Sequence, residues 1–416
     1  MSGVNGRGDR GPVRRRPVGR REAIVRAATA AFARDGYHAT SMADIAAEVG
    51  ISSTAVYRHF RGKQDLLGET LLSGLDSVLS RLAAAHDEGA GAVLGALTTA
   101  CLQLRGLPRL WQLEVRNLSA TDRIAVLARV VRLSGFLRAA IRERRPDLSR
   151  DDVEFLAWCA LSVAVSPSYH HLQIPDAEFV RVLDAVIGEV ITVRFPVART
   201  GPLDAAVSWK PGRARRYAAE ETDPILRPER MISVAARLFN QRGYSAVGIE
   251  DIGAEVGVSG PALYHHFDSK VALLNEIVDR NEQWIRLYTS RAMSEGDSPS
   301  AALRILLRYF VRFAIREPDL LGTTLSELDH LPTEQASRYR HAHREGIMRW
   351  VRMLQVVRPD ASAEVARVQI QAMTGVVIDA VRNPRLTGRA DLADILVEVG
   401  DRAVFADTKV RLFSHE

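Results

Sequence analysis

The chain has 416 residues, 47% of them hydrophobic and 25% charged, and a formal net charge of +6. That length is too great for one ordinary hydrophobic core and implies two or more domains. No apolar run reaches the roughly 18 residues of a membrane span, the Arg-rich start lacks the apolar stretch of a secretory signal, so a cytoplasmic location is expected, and two cysteines, Cys101 and Cys159, supply neither a disulfide framework nor a zinc ligand set.

Residues 1–18 read as a disordered basic arm. Arg7, Arg10, Arg14, Arg15 and Arg16 stand against the single acid Asp9, among prolines and glycines, a composition suited to a polyanionic partner. A first domain follows at 19–66. Glu22 to Asp35 places Ile24, Ala27, Ala28, Ala31 and Phe32 on one helical face, and Gly36 can end that helix. Thr40 or Ser41 can cap a second helix, Met42 to Val49, which Gly50 closes. Ser52 then caps a third, Ser53 to Phe60. Two short helices joined by a glycine turn are the helix-turn-helix pattern. The third helix can turn Ser53, Thr54, Tyr57 and Arg58 outward, toward base edges in a major groove, while Ala55, Val56 and Phe60 pack inward.

Residues 67–196 read as a larger helical domain. Trp111, Phe155 and Trp158 suit its core. The break at Ser166-Pro167-Ser168-Tyr169, followed by His170 and His171, suits a pocket, so Trp111, Tyr169 and His170 are the candidate ligand-lining residues. Residues 197–225, with Pro202, Pro211, Pro224, Gly201 and Gly212, read as a linker; its Arg213, Arg215 and Arg216 could serve a second unit as the N-terminal arm serves the first.

The pattern then starts again. Val49 to Phe60, VGISSTAVYRHF, returns as Val256 to Phe267, VGVSGPALYHHF. At the same spacing Phe32, Gly36, Tyr37, Asp44, Ile45, Gly50 and Lys63 recur as Phe239, Gly243, Tyr244, Asp251, Ile252, Gly257 and Lys270. Farther on, Arg145-Pro146-Asp147 recurs as Arg358-Pro359-Asp360 at a slightly wider spacing. A repeat this long means two fused units rather than a solenoid, with a second helix-turn-helix domain at 226–273 and a second helical domain at 274–416. The fold class is all-α. His341 and His343, two apart on a helix, face different sides and make no joint metal site. The absence of a glycine-rich phosphate loop, GxSxG or HExxH motif argues against an enzyme, a cofactor or a metal.

Both copies resemble the DNA-binding region of TetR/AcrR-family transcriptional regulators, through ATSMADIAAEVGISSTAVYRHFRGKQDLL and VGIEDIGAEVGVSGPALYHHFDSKVALL. The resemblance implies a three-helix DNA-binding domain, a connecting fourth helix, and a larger helical domain that dimerises and often binds a small effector. It places phosphate contacts on Thr40, Ser41, Tyr57, His59 and Lys63, and base contacts on Ser53, Thr54 and Arg58. The second copy offers Gly260, Pro261, Tyr264, His265, His266 and Lys270, and Val247 and Gly248 replace the hydroxyl pair Thr40 and Ser41. The expected function is a transcriptional repressor that binds a double-stranded operator as a single-chain pseudo-dimer, released by a small apolar effector; further pairing of chains stays open. The alternative is a helical binding protein, or an enzyme, that retains a helix-turn-helix without using it.

Overall fold

The computed structural model describes residues 19–170, 172, 174–196, 227–258 and 263–409. Within them every regular element is a helix, and no helix is long and apolar enough to cross a membrane. Helix α1 (Arg20–Asp35) buries Ile24, Ala28, Ala31 and Phe32 along one face. Glu22 in its first turn and Arg34 in its last complement the helix dipole. Gly36 ends it at φ 82°, where a side chain would be strained. Ser41, not Thr40, caps α2 (Met42–Val49): its Oγ accepts the Asp44 amide at 3.1 Å, and the Asp44 carboxylate accepts the Ser41 amide at 2.8 Å, a reciprocal capping box. Ser52 caps α3 (Ser53–Tyr57). This helix is shorter than expected. The amides of His59 and Phe60 both turn back to the Val56 carbonyl, and that tightened turn drives the Phe60 ring into the core.

The first unit continues through α4 (Lys63–Ala85), α5 (Ala90–Gln103), α6 (Gly106–Glu114), α7 (Ala120–Arg144), α8 (Arg150–Val165) and α9 (Asp176–Val190). Helix α4 leaves the head and packs on α5 and α7, while α6 packs on α1. The latter contact is close: a Cβ on Gly106 would stand 2.7 Å from that of Ala33. Ser119 and Ser149 cap α7 and α8 by accepting the Asp122 and Asp152 amides, the Ser-x-x-Asp spacing already used at α2.

The second unit repeats the order with α10 (Arg227–Arg242), α11 (Ile249–Val256), α12 (Lys270–Glu295), α13 (Pro299–Arg316), α14 (Pro318–Ser326), α15 (Thr333–Val357), α16 (Ala363–Arg382) and α17 (Leu392–Phe405). Here α14 packs on α10 as α6 does on α1. The arm at 1–18, the linker at 197–225, His171, and Gly260 and Pro261 lie outside the described residues.

The Arg-Pro-Asp echo now has a structural meaning. Arg145 donates from Nη1 to the carbonyls of Ile191 and Val193 at 2.7 and 2.9 Å while Asp147 holds its other edge at 2.9 Å. Arg358 likewise donates to the Ala406 carbonyl at 3.2 Å and pairs with Asp360. Each arginine satisfies carbonyls just beyond the last helix of its unit, α9 or α17, and so ties that end to the turn before α8 or α16. The neighbouring Arg358 and Lys409 hold the Asp360 carboxyl well below the usual carboxylate range.

The two units meet through α8 and α9 on one side and α16 and α17 on the other. Cys159 and Ser162 of α8 lie beside Val376 and Ala380 of α16, and one hydrophobic core runs continuously across the boundary. Around it Arg389 pairs with Asp152 at 2.7 Å, Arg385 with Glu154 at 3.8 Å, and Arg181 donates to the Thr408 carbonyl at 2.7 Å. Burial pushes the Cys101 thiol up to about 12 and raises that of Cys159 as well, so both are inert packing groups. The first head keeps a hydrophobic cluster of its own, centred on Phe32, Ile45, Val56 and Phe60.

Candidate nucleic-acid interface

The candidate reading surface of the first head is built by α3 and the turn after it. Thr54, Tyr57, Arg58 and His59 are exposed and Ser53 is half-buried. Tyr57 is 54% exposed, which is unusual for so large a ring, and its counterpart Tyr264 is 51% exposed. His265 and His266 are exposed beside it. Underneath, Val56 and Leu263 are wholly buried, so the same inward anchor orients each outward tyrosine. Ser41 is exposed at the start of α2, where free backbone amides favour an anion.

Two expectations change. The Thr40 side chain points inward: it is 2% exposed, and its hydroxyl donates to the Gly36 carbonyl at 2.8 Å. Its counterpart Val247 is equally buried. Thr and Val have nearly the same shape, so this position is a core contact in both copies. Of this pair, only Ser41, replaced by Gly248, marks a lost outward hydroxyl. Lys63 is also committed internally. Its ammonium donates to the carbonyls of Tyr37, His38 and Thr40 at 2.7, 3.3 and 3.0 Å and lies 4.4 Å from the Tyr37 ring centroid. Lys270 repeats this with the Tyr244 and Val247 carbonyls, both at 2.9 Å, and the Tyr244 ring at 4.1 Å. Each lysine clamps the start of the long helix to the loop after the first helix. Desolvation lowers the Lys63 pKa, with Glu114 acting against the shift.

A further pair was not singled out from the sequence. Glu114, at the end of α6, is buried; it accepts the Tyr37 amide at 3.4 Å and the Asn117 side-chain amide at 2.6 Å. Glu327, just after α14, is fully buried and accepts the Tyr244 amide at 3.0 Å and the Ser326 hydroxyl at 2.8 Å. His330 stands 3.5 Å from the Glu327 carboxylate and stacks on Tyr244 with centroids 4.8 Å apart. Tyr37 and Tyr244 are thus held by their amides from the larger domain and by their carbonyls and rings from the lysine. Glu114 and Glu327 keep the spacing of the two Arg-Pro-Asp motifs, and that shared spacing was the signal available.

The candidate ligand residues separate. Tyr169 and His170 line a cavity of about 700 Å³ whose other walls come from α12 to α16 of the second unit. Trp111 lies away from it, against the first head's hydrophobic cluster; it follows α6 back onto α1 rather than into the bundle. The lining is mixed rather than apolar. Trp284, Phe310 and Trp350 are joined by Arg344, Arg367 and Arg382.

Residues 24–70 and 231–277 match the family described as bacterial regulatory proteins, tetR family. The HTH-type transcriptional repressor BdcR of Escherichia coli (strain K12) is 36% identical over 69 residues, 17% of this chain and 30% of that repressor. The HTH-type transcriptional repressor KstR2 of Mycolicibacterium smegmatis is 36% identical over 78 residues, 19% of this chain and 38% of that repressor. The chain therefore spans about a third of the length of these curated relatives. A solved TetR-family transcriptional regulator from Bordetella parapertussis 12822 aligns with 44% of this chain and 95% of its own, at 24% identity and a TM-score of 0.41. Two matched segments, each containing one exposed tyrosine above one buried anchor, establish that the chain carries in tandem two domains of the bacterial regulatory-protein family tetR.

Proposed function

We propose that the chain is a sequence-specific, double-stranded-DNA-binding transcriptional repressor that acts as a single-chain pseudo-dimer and is released by a small-molecule effector. The observation that carries this is the meeting of α8 and α9 with α16 and α17 in one continuous core, combined with exposed reading surfaces at Tyr57 and Tyr264. A two-fold dimer needs two reading helices on one duplex, and here one chain supplies both. The repressor names of the matched relatives support the direction of regulation.

The two surfaces carry different side chains, Arg58 against His265 and Ser41 against Gly248. Their half-sites should therefore differ, with the first head contributing the stronger one. Tyr57, Ser41 and His59 would position the head through phosphates, and Thr54 and Arg58 would meet base edges. The arginines of the 1–18 arm would add sequence-independent attraction.

Selection from random duplexes, followed by the mass of the purified complex, tests this. The expected result is an asymmetric consensus occupied by one chain. Failure to enrich any sequence, or a perfect palindrome occupied by two chains through the same head, would refute it. Arg58→Ala should relax preference at one or two base pairs, a loss of about 1–3 kcal/mol of discrimination if the contact is bidentate; an even loss across all sequences would move Arg58 to the phosphates.

A further inference from the structure

The cavity in the second unit has more arginines than acids in its described lining. Its volume, about 700 Å³, is that of a small-molecule site. One side is aromatic: Trp284 and Phe310 have centroids 6.1 Å apart, and Phe310 meets Trp350 edge-on at 6.1 Å. The other carries Arg344, Arg367, Arg382 and His343, with Asp379 as the one acid among the described lining residues. Arg340, also lining, is neutralised by Asp329. Arg344, Arg367 and Arg382 make no ion pair with any described residue. Arg367 Nε and His343 Nδ1 are buried without a hydrogen-bond partner.

Arg367 and Arg382 are half-buried and Arg344 is exposed. A guanidinium partly withdrawn from water without a counter-charge, as at Arg367 with its buried Nε, is unfavourable unless something else supplies one. A carboxylate, sulfonate or phosphate does so with strong, directional hydrogen bonds. The first unit lacks this arrangement. At the spacing of the Arg-Pro-Asp repeat, Val130 and Val131 stand where the second unit has His343 and Arg344.

We propose that this cavity binds an organic anion with an apolar body, its acidic group at Arg367 and Arg344 and its apolar part against Trp284, Phe310 and Trp350. The assignment deepens the effector part of the proposed function and rests on it for its regulatory meaning, not for the binding itself. Tyr169 and His170 of the first unit complete the lining, so the ligand touches both units and can favour one spacing of the two over another.

Two probes with the same rings test it on the full chain without DNA: 8-anilinonaphthalene-1-sulfonate and N-phenyl-1-naphthylamine, which lacks the sulfonate. The expected result is one sulfonate probe per chain, bound about tenfold or more tighter than the neutral one. Arg367→Gln should abolish that preference by weakening the sulfonate probe toward the neutral one, with Arg344→Gln as the second variant should the first fail to fold. Ile347→Trp, which fills the cavity, should weaken both probes. Equal affinity for the two probes, or a preference unaffected by both arginine variants, would overturn the proposal. Duplex binding is measured separately on probe-free protein; its absence alongside a charge-selective probe site sinks the regulator reading and leaves the ligand assignment standing.

Discussion

At the scale of single residues, the groups that hold each head are buried or half-buried rather than exposed. Lys63 and Lys270 close the α1–α2 and α10–α11 loops from below, and Glu114 and Glu327 hold the same loops from the larger domain. Removing Glu327 would leave the Tyr244 amide without its acceptor inside the protein, a cost of about 1–3 kcal/mol. Glu327→Ala is therefore expected to lower the melting temperature and to disconnect ligand binding from duplex release in the second unit. A variant that melts like the wild type and still releases DNA on ligand addition would show that the joint is incidental. His343 gives a pH signature. Burial, with Arg367 beside it, pushes its pKa below the ordinary 6.5. The unfolded chain then takes up this proton more readily than the folded one as pH falls. The stability from the neutral imidazole is fully present above 6.5 and declines as pH drops through that value toward the folded pKa. Denaturation midpoints measured between neutral and mildly acidic pH should fall more steeply for the wild type than for His343→Gln.

At the scale of elements, the two heads share a frame and differ in finish. Helix α2 has a complete capping box, whereas α11 keeps only the Asp251 half, with its carboxylate accepting the Gly248 amide at 2.7 Å. Gly248 has φ −88°, which any residue accepts. A Cβ there would come 3.1 Å from the tip of the flexible Glu250 side chain. Gly248→Ser should consequently add the missing cap, for a gain of a few tenths of a kcal/mol, and restore a hydroxyl next to the helix N-terminus. The checks are thermal melting and duplex affinity, both expected to rise; a drop in melting temperature would mean that Glu250 cannot move aside. Helix α3 illustrates the limit of reading an element from its pattern. The apolar spacing extends to Phe60, but the ladder stops at Tyr57 because the Val56 carbonyl takes two amides at once.

At the scale of the molecule, everything depends on the joint between α8, α9, α16 and α17. Val376 is buried there beside Cys159. Val376→Asp would place a charge against apolar neighbours at a cost on the order of several kcal/mol, enough to open the contact. The two heads should remain helical by circular dichroism while affinity for the asymmetric duplex falls toward that of one head. Unchanged affinity would mean that the heads act independently and that the pseudo-dimer does not exist. The asymmetry between units extends to their interiors. The first fills its bundle with Val126, Val130 and Leu137, whereas the second has Tyr339, His343 and Trp350 at the repeated spacing around a cavity.

The all-helical architecture and the tandem duplication of the helix-turn-helix segment were legible in the sequence alone. Periodicity, capping residues and glycine stops are local, and a repeat makes each of them visible twice. The outward Tyr57 and inward Val56 follow from helix geometry once α3 is recognised. Three matters needed the tertiary structure. Thr40 and Lys63 carry groups that suit a phosphate equally well as they suit a carbonyl, and only the packed loop shows that they turn inward. Glu114 and Glu327 are ordinary charges in a sequence, and burial as acceptors of the Tyr37 and Tyr244 amides is what makes them joints. The cavity draws residues from α12 to α16 and from the other unit, so no linear spacing could have assembled it. Local signals fix elements because their causes lie within a few residues; sites depend on which elements meet, and that is decided by burial over the whole chain.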